Sequence, residues 1–213
     1  MTAIDYRSAA LDMIRDEHRA LAALLHGMKH LVRDISAHRT APDYGLLRAM
    51  LYYIDVFPER MHHPKEEAHL FTPLAKRTRA ADEDLSILRA EHENGARLIR
   101  DLGHALLCWE HGATDGFAVF SAALESYAGF YTRHMEREEK RILPLALKVL
   151  LPEDWYTLQH AFAENHDPLH GDAREAHFRA VFSHIVNVAP PPIGVGPPFP
   201  PSKPAAKPLS KIA

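Results

Sequence analysis

The sequence predicts an all-α chain: an up-down-up-down four-helix bundle followed by a short extra C-terminal helix and a disordered, proline-rich tail. Three observations lead there. Apolar residues recur at three- and four-residue steps along four long stretches, as the buried stripe of an amphipathic helix does. The stretches are joined by short polar links, which makes sequential helices antiparallel neighbours. No alternating, β-branched run reads as a strand.

The first stretch carries Leu11, Ile14, His18, Leu21, Leu25, Met28, Val32 and Ile35 on one face. The second carries Leu47, Leu51, Ile54, His62, Glu66, Leu70 and Leu74, with Pro58 and Pro64 expected to interrupt it because proline removes a helical hydrogen bond. In the third, Leu85, Leu88, His92, Gly95, Ile99, Leu102, Leu106 and Trp109 align, and in the fourth Phe117, Phe120, Leu124, Tyr127, Tyr131, His134, Glu138, Ile142 and Leu145. The links fall at 38–43, 79–84 and 111–115. After them, 151–172 reads as a short amphipathic helix ending at Asp167-Pro168 and packing across the end of the bundle. Residues 1–172 thus form one domain, 173–188 a further short helix, and 189–213 an extended, flexible tail, with docking of a protein partner on its prolines as the lesser alternative.

Composition narrows the function. The 25 basic and 28 acidic residues leave a formal charge of -3, so no polycationic surface points to nucleic acid or anionic lipid. No apolar run approaches the roughly 18 residues that span a bilayer, and 1–10 lacks the apolar core of a secretory signal, so a cytoplasmic location is expected. The lone Cys108 excludes an internal disulfide and a thiolate metal cluster. Any metal must be held by nitrogen and oxygen.

Such ligands are supplied by a repeat. HHPKEEAHLFTPL from His62 and HMEREEKRILPL from His134 share a histidine, a glutamate four residues on, a second glutamate and a Pro-Leu ending. Upstream of each lies a Glu-His pair, in DEHRALAALL and AEHENGARLI. At about 1.5 Å per residue, His18 and the His62/Glu66 pair lie equally far from the first link, and His92 and His134 equally far from the third. All should meet in one layer of the core. A buried glutamate or histidine without a partner costs several kcal/mol. One core histidine is more often a packing residue than a ligand, but six polar residues on four stripes call for cations.

His18, His62, Glu66, His92, His134 and Glu138 are therefore candidate metal ligands, and their number suits two ions about 3.5–4 Å apart bridged by both carboxylates. Nitrogen and oxygen ligands with open positions favour iron over manganese or zinc. His63 is a seventh candidate, because Pro64 lets the local turn swing either imidazole of the doublet inward. Glu67, Glu139 and His69 are expected to support ligands or face solvent. Tyr131, one turn before His134, reads first as core packing, and it is also the candidate whose hydroxyl would orient a metal-bound small molecule, with Tyr127 behind it. The remaining histidines fall off the stripes.

On these residues, from about Ser8 to Gly171, the chain resembles the hemerythrin-like, HHE cation-binding family, and the trailing DWYTLQHAFAENHDPLHG is similar to bacterial members. The resemblance implies a non-haem di-iron centre in a four-helix bundle, binding dioxygen or nitric oxide in storage, sensing or stress responses. Two departures argue against simple reversible oxygen carriage. The oxygen carriers have a second histidine four residues after the first on the third helix, where this chain has Ala96. They also have an aspartate five residues after the last histidine, where it has Glu139. Ferritin-like oxidases need Glu-x-x-His on two helices, whereas Glu59-Arg-Met-His62 and Glu66-Glu-Ala-His69 share one. The expected function is binding of dioxygen, nitric oxide or peroxide at two iron ions as sensor, scavenger or store. The alternative is a di-iron oxidase or peroxidase-like enzyme that uses Tyr131 or an open iron position.

Overall fold

The computed structural model describes residues 5–164, so the expected helix at 173–188 and the tail at 189–213 lie outside the described residues. Five helices succeed one another: α1 (Tyr6–Ser36), α2 (44–77), α3 (Asp82–Glu110), α4 (116–149) and α5 (Pro152–Ala163), with no strand among the described residues. Caps explain the starts. Asp5 accepts from the Arg7 and Ser8 amides at the head of α1, and Asp43 accepts from the Leu46 amide at 2.9 Å at the head of α2. The acids at the end of the second predicted link, Asp82, Glu83 and Asp84, instead form the first turn of α3, where carboxylates oppose the helix dipole. The α3–α4 link is tight: a Cβ at Gly116 would lie 2.5 Å from Trp109 Cα, so only glycine fits.

The expected interruption of α2 takes the form of π-helical turns within one continuous helix. The helix absorbs its prolines through π-helical turns at Pro58–His62 and Glu67–Phe71, and α4 does the same at Glu138–Ile142. The reason is local. Pro64, Pro73 and Pro144 lack the amide that would bond to the carbonyl four residues back, and those carbonyls belong to Arg60, His69 and Lys140, one in each π turn. Each turn adds a residue to the helical circuit and rotates the remainder of its helix. After the turn in α4 the buried positions are Leu143 and Ala146, while the predicted Leu145 is only partly buried.

Helices α3 and α4 pack most extensively, α2 lies against α3, and α1 lies against α4. Between α1 and the later half of α2 runs α5. It lies alongside α1 rather than across the bundle end, burying Trp155, Leu158 and Phe162. Two apolar clusters result. One contains Leu24, Met28, Leu47, Phe57, Leu102 and Phe120, and the other Ile14, Phe71, Leu85, Leu88, Ile142 and Trp155. At about 1.5–3 kcal/mol for each fully buried large apolar side chain, the clusters offset the cost of the polar layer between them.

Candidate metal centre

That layer draws on all four bundle helices. His18 comes from α1, His62, His63 and Glu66 from α2, His92 from α3, and His134 and Glu138 from α4, all buried, with both glutamates at 0% exposure. Every sequence-predicted ligand is in one place. The π turn at Pro58–His62 explains why both members of the doublet face inward: it adds the residue that an α-turn lacks, so consecutive imidazoles share the buried side.

The histidines fall into two groups, and the carboxylates stand between them. Glu66 Oε1 lies 3.1 Å from His62 Nε2 and 3.9 Å from His18 Nε2, while its Oε2 lies 3.6 Å from His92 Nε2. Glu138 mirrors it. Its Oε2 lies 3.2 Å from His18 Nε2, and its Oε1 lies 3.5 Å from His134 Nε2 and 3.8 Å from His92 Nε2. Ligand-type atoms of His18, His62 and Glu66 lie within 4.8 Å of one another, as do those of His63, Glu66, His92 and His134. Glu66 belongs to both groups.

A further set of carboxylates orients the rings. His18 Nδ1 donates to Glu139 at 2.9 Å, His62 Nδ1 to Glu17 at 2.5 Å, His92 Nδ1 to Glu67 at 2.9 Å and His134 Nδ1 to Glu91 at 3.0 Å. A carboxylate on Nδ1 fixes the tautomer and turns the Nε2 lone pair inward, the usual support of a metal-bound imidazole. Glu139 and Glu67 behave as their spacing suggested. Glu17 and Glu91 were not anticipated, although each precedes a candidate ligand histidine in sequence. The first turns toward His62 and the second toward His134, because adjacent positions on a helix point about 100° apart.

His63 is held differently. Its ring stacks on His92, with centroids 4.1 Å apart, and on Tyr131 at 5.8 Å, while Nδ1 lies 3.4 Å from Glu59 Oε2 without closing a hydrogen bond. Glu59 accepts from the hydroxyls of Tyr127, at 3.1 Å, and of Tyr131. Gly95 makes room for this cluster: a Cβ there would lie 2.5 Å from Tyr131 Oη and 3.1 Å from Glu59 Oε1. No sequence signal singles out Glu59 for this place, because its role depends on Tyr131 of another helix.

The residues fit a pair of cations. Nε2 of His62, His92 and His134 and both oxygens of Glu66 and Glu138 are buried with no hydrogen-bond partner. That concentration of orphaned acceptors is costly unless positive charge sits among them. Without cations, protons serve. Burial would lower the pKa of His18, yet the carboxylate of Glu138, 3.2 Å from Nε2, and the hydrogen bond to Glu139 push it up to about 9. Burial also opposes the proton on His62, but Glu66 and Glu17 raise it well above its ordinary value. His63 is driven the other way, well below its ordinary value, by burial and by His92, His62 and His134. Glu138 is held well below the usual carboxylate range by His134, His18 and His92, although burial alone would raise it.

His69 is partly exposed and joins neither group. Of the histidines expected off the stripes, His26, His38, His104, His111 and His160 are exposed and His30 is half-buried, while His166, His170, His177 and His184 lie outside the described residues. No helix among the described residues is long and apolar enough to cross a membrane. Neither the curated proteins nor the solved structures include a significant match. A family model does match: that of the hemerythrin HHE cation-binding domain, over residues 9–146. That span takes in every histidine and glutamate of the layer, and the chain belongs to the hemerythrin HHE cation-binding family.

Proposed function

We propose that the chain is a cytoplasmic, non-haem di-iron protein that binds dioxygen, nitric oxide or peroxide as a sensor, scavenger or store. The observation that carries this reading is the division of each carboxylate between two histidine groups. Glu66 offers one oxygen to His18 and His62 and the other to His92, and Glu138 offers one to His18 and the other to His92 and His134. One tetrahedral ion cannot use five imidazoles and four carboxylate oxygens, whereas two bridged ions can. The ligand set would be His18, His62, His63, Glu66, His92, His134 and Glu138. Iron supplies one-electron chemistry and open positions for a diatomic ligand.

The chain's own residues do the rest. Glu17, Glu67, Glu91 and Glu139 hold four imidazoles in orientation, and the apolar clusters above and below keep bulk water from the layer. The test is metal analysis of freshly purified protein with anaerobic spectra before and after exposure to air. About two irons per chain and an oxygen-dependent charge-transfer band are expected. A single zinc per chain with no visible band overturns the reading.

A second reading, a di-iron oxidase or peroxidase-like enzyme, is favoured by one observation. The Tyr131 ring lies 5.5 Å from that of His134, with its hydroxyl already hydrogen-bonded to Glu59. Steady-state peroxide turnover by iron-loaded protein, lost in Glu138→Ala, selects this reading. Stoichiometric binding without turnover selects the first.

A further inference from the structure

The two halves of the chain correspond in sequence, and one of their differences lies directly after the second-helix and fourth-helix histidines. His63 directly follows His62, and the residue that directly follows His134 is Met135. The group of His92 and His134 thus gains a third imidazole, whereas Met135 stands where the His18 and His62 group would gain one. Beside Met135 lies a cavity of about 10 Å³, room for the centre of one water-sized molecule. Its walls combine the apolar groups of Leu21, Phe57, Pro58 and Met135 with imidazoles of both histidine groups, His18 and His62 of one and His134 of the other. Outside it, between α1 and α4, runs a surface groove of about 260 Å³ whose lining includes Ala22, Leu25, Gly129 and Met135 together with the Lys29–Glu125 ion pair. Met135 is the one residue common to the two linings, and it is half-buried.

We infer that Met135 is the gate and size-determining residue of a binding pocket for a single neutral diatomic molecule, reached through the α1–α4 groove. This rests on the reading of a small-molecule-binding metal centre. An unbranched thioether side chain adopts alternative rotamers at little cost, so it can close the pocket and yield to a small visitor. The carboxylates around the layer, Glu17, Glu59, Glu66, Glu67, Glu91, Glu138 and Glu139, outnumber the positive charges of two divalent ions and disfavour an anion, and the apolar part of the wall disfavours any charge left unpaired there. Dioxygen and nitric oxide fit both conditions.

The test uses the full chain, iron-loaded and reduced, with nitric oxide association followed by stopped-flow. Met135→Ala is expected to raise the association rate about tenfold and Met135→Phe to lower it about tenfold, with iron content unchanged. Gly129→Leu fills the groove from outside the metal layer. An added Cβ there meets only the end of the Arg133 side chain at 3.5 Å, so the variant is expected to fold and to slow association. Xenon supplies a readout independent of iron: crystals of Met135→Ala under xenon pressure are expected to hold an atom in the pocket. Unchanged rates in all three variants, or xenon bound only elsewhere, overturn the gate. Xenon in the pocket of a protein that binds no nitric oxide overturns the functional reading and leaves the gate standing.

Discussion

Glu59 and Tyr131 occupy equivalent positions in the two halves of the chain, three residues before His62 and His134, and the Tyr131 hydroxyl donates its hydrogen bond to the Glu59 carboxylate. A repeat that would otherwise pair like with like here pairs an acid with a phenol. Burial raises the pKa of Glu59 even though both tyrosines oppose the shift, so the carboxylate depends on its donors.

Removing the donor should be felt in the fold. Tyr131→Phe leaves buried Glu59 with Tyr127 as its remaining hydroxyl donor and is expected to cost about 1–3 kcal/mol in denaturant unfolding of the metal-free protein. Gly95→Ala forces a Cβ against Tyr131 Oη and should cost about 1–3 kcal/mol, less the roughly 1 kcal/mol that alanine contributes to a helix. With the hydroxyl gone the closest of these contacts is removed, and the carboxylate of Glu59 at 3.1 Å remains. The double variant should therefore lose less than the sum of the single losses, and strict additivity would show that the two positions do not meet.

The carboxylates behind the histidines should tune metal affinity without holding the bundle together. Glu17→Ala and Glu91→Ala, which free His62 and His134 to rotate, are each expected to weaken iron binding about 10- to 100-fold by competition with a chelator. The far-ultraviolet circular dichroism of the metal-free protein should stay as it is.

Metal uptake should release protons. His18 has a pKa of about 9 without cations, above its unfolded value, so near neutral pH its imidazole carries a proton that Nε2 must lose to bind. Protonation thereby favours the metal-free fold: the extra stability is fully present below the unfolded value of 6.5, and it is lost as pH rises through about 9. Metal affinity should accordingly strengthen as pH rises over that window. Calorimetric titration in buffers of different ionisation enthalpy measures the protons released, and a heat independent of buffer would contradict the expectation.

Helix α5 should act on the centre as well as on stability. Phe162 sets its ring edge against His62, with centroids 5.2 Å apart, and Lys65 Nζ donates to the Ala161 carbonyl at 2.7 Å. Phe162→Ala is expected to cost about 3–5 kcal/mol as a buried aromatic truncation and to speed iron loss to a chelator by admitting water beside His62. Arg77→Ala, which breaks the ion pair with Asp154 at the start of α5, should leave the iron-loss rate unchanged.

Helix identity and the candidate ligand set were legible in the sequence because both rest on spacing. A 3,4 step places His18 and His92 on buried stripes, and a four-residue step carries His62 to Glu66 and His134 to Glu138 on one face, whatever the partners. Position across helices was decided only by the fold. The inward turn of both His62 and His63 needed a π turn whose cause is a proline two residues beyond it, and the pairing of Glu17 with His62 and of Glu91 with His134 needed neighbouring helices at one depth. So did the meeting of Glu59 with Tyr131 and the seating of α5 beside α1. Periodicity fixes the direction of a side chain about its own helix axis, whereas the partner it meets depends on how several helices rotate and shift to close a common core.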